Sequence, residues 1–141
     1  MTEFFGVGGE FGIDWLENET VFAGWGMPDV DVTVRIVLTT VADAEDGRRL
    51  GRALVEERLV ACVSLVPGVE SIYRWKGEVE SAGEVLLLIK TEVEQLAALE
   101  ARLHELHSYE TPEFLVLKVA AGSAPYLEWL AGSVGKAGNR K

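Results

Sequence analysis

From Val34 onward the chain alternates between short apolar runs of strand character and stretches with apolar residues every three or four positions. Val34–Thr40 (VRIVLTT) is β-branched and bounded by polar residues, so it reads as a buried strand. Asp43 then offers an N-cap, and Glu45 and Asp46 suit the first turn of a helix. Leu50, Leu54 and Val55 continue that helix to about Arg58, although Gly47 and Gly51 weaken it. Val60–Val66 (VACVSLV) is apolar on both faces and predicts a sandwiched strand, with a bend or bulge at Pro67 and Gly68. The extended chain resumes over Val69–Lys76, with Val69, Ser71, Tyr73 and Trp75 on one face, and turns at Gly77. It returns as a long strand, Glu78–Thr91, whose core is Val85–Ile89. Thr91 and Glu94 predict a capping box ahead of a helix carrying Leu96, Leu99, Leu103 and Leu106. Thr111 and Pro112 end that helix, and Phe114–Ala120 (FLVLKVA) reads as the last main strand. Ser123 is placed to cap a short final helix to about Leu130, which presents Tyr126, Leu127, Trp129 and Leu130.

The order β-α-β-β-α-β is the split βαβ pattern, so the expected class is α+β: a ferredoxin-like βαββαβ sandwich with a long β-hairpin and a short C-terminal helix. The expected divisions are an N-terminal extension at 1–33, one folded domain at 34–134 and a tail at 135–141. Two helices cover one face of such a sheet. The strands are apolar on both faces, so the second face also needs a cover, and further copies of the chain supply one. The hairpin strands exceed the usual strand length, and their overhang suits pairing with a neighbouring chain. An oligomer is therefore expected.

Residues 1–33 read differently. Glycines and aromatics crowd Phe4 to Gly12, and Trp15, Phe22 and Trp25 follow. That aromatic content argues against a plain disordered tail, and a hairpin around Glu17, Asn18 and Glu19, pinned by Trp15 and Phe22, is one reading. A poorly ordered appendage, or an upstream extension with the working start near Met27, is the other. The glycines at 6, 8, 9 and 12 precede no strand–loop–helix unit, so they do not make a phosphate loop.

Composition then narrows the function. The 141 residues carry 23 acidic and 13 basic side chains, a net charge of −10. Seven of the acids fall in residues 1–34 with no base among them, which leaves 16 acids against 13 bases from Arg35 onward. An acidic chain repels phosphate backbones, so no nucleic-acid partner is expected. One cysteine, Cys62, excludes an internal disulfide and a multi-thiolate zinc site, and reads as a small buried hydrophobe. No apolar run reaches the roughly 18–20 residues of a membrane span, and the first residues lack a signal peptide's basic start, so the expected location is cytoplasmic without a membrane partner.

No Walker loop, G-x-S-x-G elbow or metalloprotease His pair is present, and no catalytic residue is assigned. The densest polar cluster is His107–Glu113 (HSYETPE), between the second helix and the last strand, where rigid flanks hold a loop. His107, Glu110 and Glu113 could ligate a divalent cation, nitrogen for softer ions and oxygen for harder ones. Alternatively the segment is a helix terminus at which His107 caps carbonyls and Glu113 pairs with a base such as Arg74 or Lys90. His104 precedes His107 by three residues, so a two-His clip is conceivable, with a solvent-facing His104 the plainer reading. Tyr73, Arg74 and Trp75 suit an interface or a ligand wall equally.

Taken together, these blocks resemble the CutA family of divalent-cation tolerance proteins. The matching residues are Ala61–Val63 with Pro67 and Gly68, Ser71–Gly77, Leu87–Thr91, Leu106–Glu113 and Tyr126–Leu130, in order and at matching spacing across about residues 34–134. The resemblance implies a ferredoxin-like homotrimer with interlocking hairpins, similar in architecture to PII signalling proteins, and no enzymatic reaction. It also implies a link to tolerance of copper and other divalent ions; a cofactor, if one is held, would be a divalent cation such as copper. It puts Tyr73, Trp75, Lys90, His107, Tyr109, Glu110 and Glu113 near an inter-subunit cleft. Some members supply a thiolate late in the first strand and a second His before the motif His; here Thr39 and Leu106 stand in those places. The leading expectation is thus a non-enzymatic homotrimer that binds divalent metal weakly through His107, Glu110 and Glu113. The alternative is a PII-like trimer holding a small anionic metabolite in the cleft, with Lys90 and Arg74 supplying charge. An enzyme using Glu110 or Glu113 as a base ranks last.

Overall fold

A computed structural model describes residues 32–135. The predicted hairpin at residues 17–19, most of the extension and the tail beyond Gly135 lie outside the described residues. Within them the elements run β1 (Val34–Val41), α1 (Ala44–Glu56), β2 (Cys62–Trp75), β3 (Glu78–Glu92), α2 (Leu96–Leu106), β4 (Leu115–Lys118) and α3 (Ala124–Ser133). One antiparallel sheet has the order β2-β3-β1-β4, the arrangement a split βαβ unit requires, because β3 fills the space between β1 and β2. The fold is an α+β sandwich of the expected kind.

Alternation decides what each strand residue meets. Val37, Thr39 and Val41 of β1 and Val85, Leu87, Ile89 and Thr91 of β3 point under α1 and α2 and are buried. They meet Leu50 and Leu54 of α1 and Leu99 and Leu103 of α2 in the main core. Gly47 and Gly51, which weaken α1 as a helix, lie on its buried side and let it approach the sheet. A Cβ at Gly47 would stand 3.1 Å from Leu65 and 3.2 Å from Leu87, and one at Gly51 would stand 3.3 Å from Val63. The opposite row, Ile36 and Leu38 of β1 and Leu86 and Leu88 of β3, is only half-buried. Helix α3 covers one end of that second face, where Leu130 and Val134 meet Val34 and Ala61.

The hairpin is long, as expected, with 14 and 15 residues in its strands. Its register shifts between Val66 and Val69, a bulge at Pro67 and Gly68, and Gly68 has φ +78°. Lys76 (φ +51°) and Gly77 (φ +82°) form its turn, and two consecutive positive φ values match the strands' right-handed twist. β1 pairs only with Val85–Glu92, so Val69–Glu84 projects beyond the sheet body as an arm.

Several local expectations need correction. Helix α1 stops at Glu56, because Arg58 adopts a left-handed φ of +63°. Thr91 caps no helix: it is buried in β3 and donates its hydroxyl to the Leu59 carbonyl at 2.7 Å, while α2 begins through a 3-10 turn at Val93–Gln95. Ser123 stands at the N-cap of α3 without a side-chain bond, and Pro125 in the first turn fixes the entry instead. β4 is confined to four residues by pairing only with Arg35–Leu38. Asp43, by contrast, caps α1 as expected, accepting from the Asp46 amide at 2.8 Å.

Candidate functional site

The His107–Glu113 segment leaves the end of α2 and lies against the far end of β1, where the hairpin arm departs from the sheet. His107 terminates α2 in an extended conformation, and its side chain turns inward until only 8% of the residue is exposed. The Tyr109 amide donates to Nδ1 at 3.0 Å, and Nε2 lies 2.8 Å from the Thr40 carbonyl. A carbonyl only accepts and Nδ1 is accepting, so the proton sits on Nε2. Both ring nitrogens are therefore committed within the chain.

Tyr109 follows, its ring centroid 4.8 Å from that of His107 and its hydroxyl donating to Glu84 at 2.7 Å. Burial, reinforced by the Glu84 carboxylate, holds the Tyr109 phenol well above its ordinary range. On the other side of the loop, Ser108 donates to Asp46 at 2.8 Å. Arg49 binds Asp46 at 2.7 Å and the last carbonyl of α2, at Leu106, at 2.9 Å. Burial pushes the Asp46 carboxyl up, but the bonds from Arg49 and Ser108 and the nearby positive charge outweigh it and leave a lowered pKa. The loop and the helix end before it are thus latched at four points by residues 25 to 67 positions distant in sequence.

Within one chain the His107 ring is held by hydrogen bonds rather than presented to an ion. A ligating imidazole needs a free lone pair, and here Thr40 and Tyr109 use both nitrogens. Glu110 is exposed and Glu113 half-exposed, but among the described residues no group of three or more His, Cys, Asp or Glu side chains is arranged to hold an ion. His104 faces solvent and His107 is buried, so the two make no clip. Among the described residues Glu113 makes no ion pair; Arg74 reaches the Gly77 carbonyl at 3.4 Å and Lys90 the Tyr126 hydroxyl at 3.4 Å.

Nor do the other expected cleft residues meet within one chain. Tyr73 and Trp75 share a face of the arm with Glu80 and Glu78, while Arg74 points to the opposite face. Lys90 sits near the other end of β3, opposite Cys62 and 5.8 Å from the centre of the Tyr126 ring. Six residues of strand, about 20 Å, separate it from Glu84 and the loop. Within one chain Arg74 and Lys90 therefore stand apart, and the expected cleft would have to draw them from different subunits. Cys62 is a free thiol and only half-buried, on the sheet face away from α1 and α2.

The residues that sequence reasoning missed are the latch partners Thr40, Asp46, Arg49 and Glu84. Asp46 and Arg49 stand three apart on α1 and read locally as a helix ion pair, which carries no hint of a loop 60 residues away. Thr39 is also unexpected in its setting: it is fully buried beneath the helices and its hydroxyl has no hydrogen-bond partner.

The family model described as CutA1 divalent ion tolerance protein matches residues 35–133, which is nearly all of the described fold. A divalent-cation tolerance protein CutA of Thermus thermophilus is 48% identical over 100 residues, covering 71% of this chain and 97% of that protein. The Arabidopsis thaliana protein named CutA, chloroplastic, is 44% identical over 98 residues, covering 70% of this chain and 54% of the relative. The solved divalent cation tolerance protein of Thermus thermophilus superposes with a TM-score of 0.71 at 47% identity, over 72% of this chain and 99% of that one. The matched span begins after the acidic N-terminal residues.

Proposed function

The chain belongs to the CutA1 divalent ion tolerance family, and from that premise we propose that it acts in divalent-cation tolerance as a non-enzymatic homotrimer that binds metal ions, copper among them, weakly. The observation that carries the assembly is the unequal treatment of the two sheet faces. Ile36, Leu38, Leu86 and Leu88 are as apolar as the row beneath α1 and α2, yet α3 covers only one end of their face. Leu115 and Leu117 of β4, 55% and 45% exposed, extend the same row by register. An apolar sheet face of this kind is stable when copies of the chain close over it, and the projecting arm, with Tyr73 and Trp75 exposed, reaches beyond the body to a neighbour.

Weak metal binding follows from the donor chemistry. Among the described residues one chain offers Glu110 and Glu113 at the latched loop but no third ligand, so a stable cation site needs donors repeated around a symmetry axis. In this reading His107 positions the loop and the two carboxylates meet the ion.

Calorimetric titration of copper against the wild type, Glu110→Gln/Glu113→Gln and His107→Ala tests the assignment. The carboxylate variant is expected to lose the heat of binding. His107→Ala is expected to weaken it only as far as the loop loosens, read separately as faster amide exchange at Tyr109. Identical isotherms for wild type and the carboxylate variant would overturn the site.

A further inference from the structure

The hairpin arm meets the rest of the chain at its root. Val69 and Ser71 of β2 and their ladder partners Glu84 and Ala82 of β3 share one face and are half-buried, while the arm's other residues are exposed. At that root Glu84 accepts the Tyr109 hydroxyl at 2.7 Å. The neighbouring bulge lies wholly in β2, where three steps from Val66 to Val69 match two from Leu86 to Glu84. Alternation along β3 is therefore unbroken, and Glu84 stands in the row of Leu86 and Leu88, at the end of the open apolar face.

Tyr109 immediately precedes Glu110 and is held at two ends. Its amide donates to the buried His107 ring and its hydroxyl to Glu84, so the backbone that carries Glu110 is fixed between α2 and the arm root. A hydroxyl bond to a carboxylate is charge-assisted, and it strengthens where water no longer competes for the oxygens. Within one chain Glu84 is only half-buried. Copies that close over Leu86 and Leu88 also cover Glu84, which lies next along the same row.

We propose that Glu84 is a positioning residue for the carboxylate loop: acting through the Tyr109 hydroxyl, it makes the loop's cation affinity depend on closure of the open face by further copies. The inference rests on the reading that Glu110 and Glu113 meet the ion. Linkage is reciprocal, so a cation held by the ordered loop also tightens the assembly.

Copper calorimetry and sedimentation on the full chain test it, together with amide exchange over residues 108–111 in the absence of metal. In the assembled protein, Tyr109→Phe and Glu84→Ala are expected to weaken copper binding about tenfold, the worth of one hydrogen bond to a charged group, and to speed exchange without changing the sedimenting mass. Glu84→Gln keeps an oxygen that accepts from Tyr109 and should restore both readouts, which a merely structural role would not require. Leu88→Asp, with Leu117→Asp as a second variant of the same row, should speed exchange as it dissociates the protein. Adding Tyr109→Phe to either should then change exchange less than about twofold, because the bond is already exposed to water. The proposal is overturned if Glu84→Gln behaves as Glu84→Ala, if Tyr109→Phe leaves loop exchange unmoved, or if its effect is equal in assembled and dissociated protein. Copper binding that survives Glu110→Gln/Glu113→Gln removes the site reading instead, and exchange in the metal-free protein still decides the coupling.

Discussion

The two faces of this sheet are built from the same strands and nearly the same residue types, yet they end in different environments. On one, Val37, Leu87 and Ile89 are completely buried beneath Leu50, Leu54, Leu99 and Leu103. On the other, their immediate neighbours Ile36, Leu38, Leu86 and Leu88 stay half-exposed, and Leu115 and Leu117 more so. Hydrophobicity does not separate the rows; the presence of a cover does. The two longest helices among the described residues, α1 and α2, both lie on one side. The second side is then an unfinished core, which the proposed trimer completes.

The sharpest way to break the comparison is to charge the open face. Leu88→Asp is expected to dissociate the assembly completely, seen as a shift to monomer mass in sedimentation, because three carboxylates would be buried without partners. Truncating the closed face comes next: Leu87→Ala should cost about 2–5 kcal/mol in chemical denaturation, through lost transfer energy and the cavity left under α1. If Leu88→Ala costs a comparable amount only at concentrations where the chain assembles, the two faces are equivalent cores. Thr39→Val sharpens the account from the opposite direction. Its hydroxyl is buried and unpaired, so the near-isosteric change should stabilise by about 1 kcal/mol, measured as a higher denaturation midpoint.

The smallest effects belong to the loop latch. The Asp46 carboxyl is lowered below its ordinary 3.8 in the folded state, so its contribution is present above that value and lost as pH falls through the folded one. Asp46→Asn should cost about 1 kcal/mol at neutral pH and flatten the acid limb of the stability profile. Tyr109 has the opposite sign: its raised pKa means that stability is retained below pH 10 and declines above it, so Tyr109→Phe should flatten the alkaline limb.

Much of the fold was legible because local pattern and tertiary role agree along β1, α1, the hairpin and α2. Alternation in Val34–Val41 and the 3–4 spacing of Leu96, Leu99, Leu103 and Leu106 each report a face that is buried in fact. The apparent capping box failed because Thr91 lies inward on β3, where the Leu59 carbonyl claims its hydroxyl. Local spacing cannot register a competitor 32 residues away. At the candidate loop the sequence showed which polar residues cluster but not the hydrogen bonds that hold them. A His beside carboxylates suggests a ligand, whereas the fold brings Thr40 and the Tyr109 amide onto both ring nitrogens. Lys90 and Arg74 are apart within one chain for a related reason, since strand length and side-chain alternation separate them.

Sedimentation equilibrium of the full chain at micromolar concentration tests the central claim most directly. The account predicts a single species of three times the 15.4 kDa chain mass, and a monomer at that concentration would contradict it.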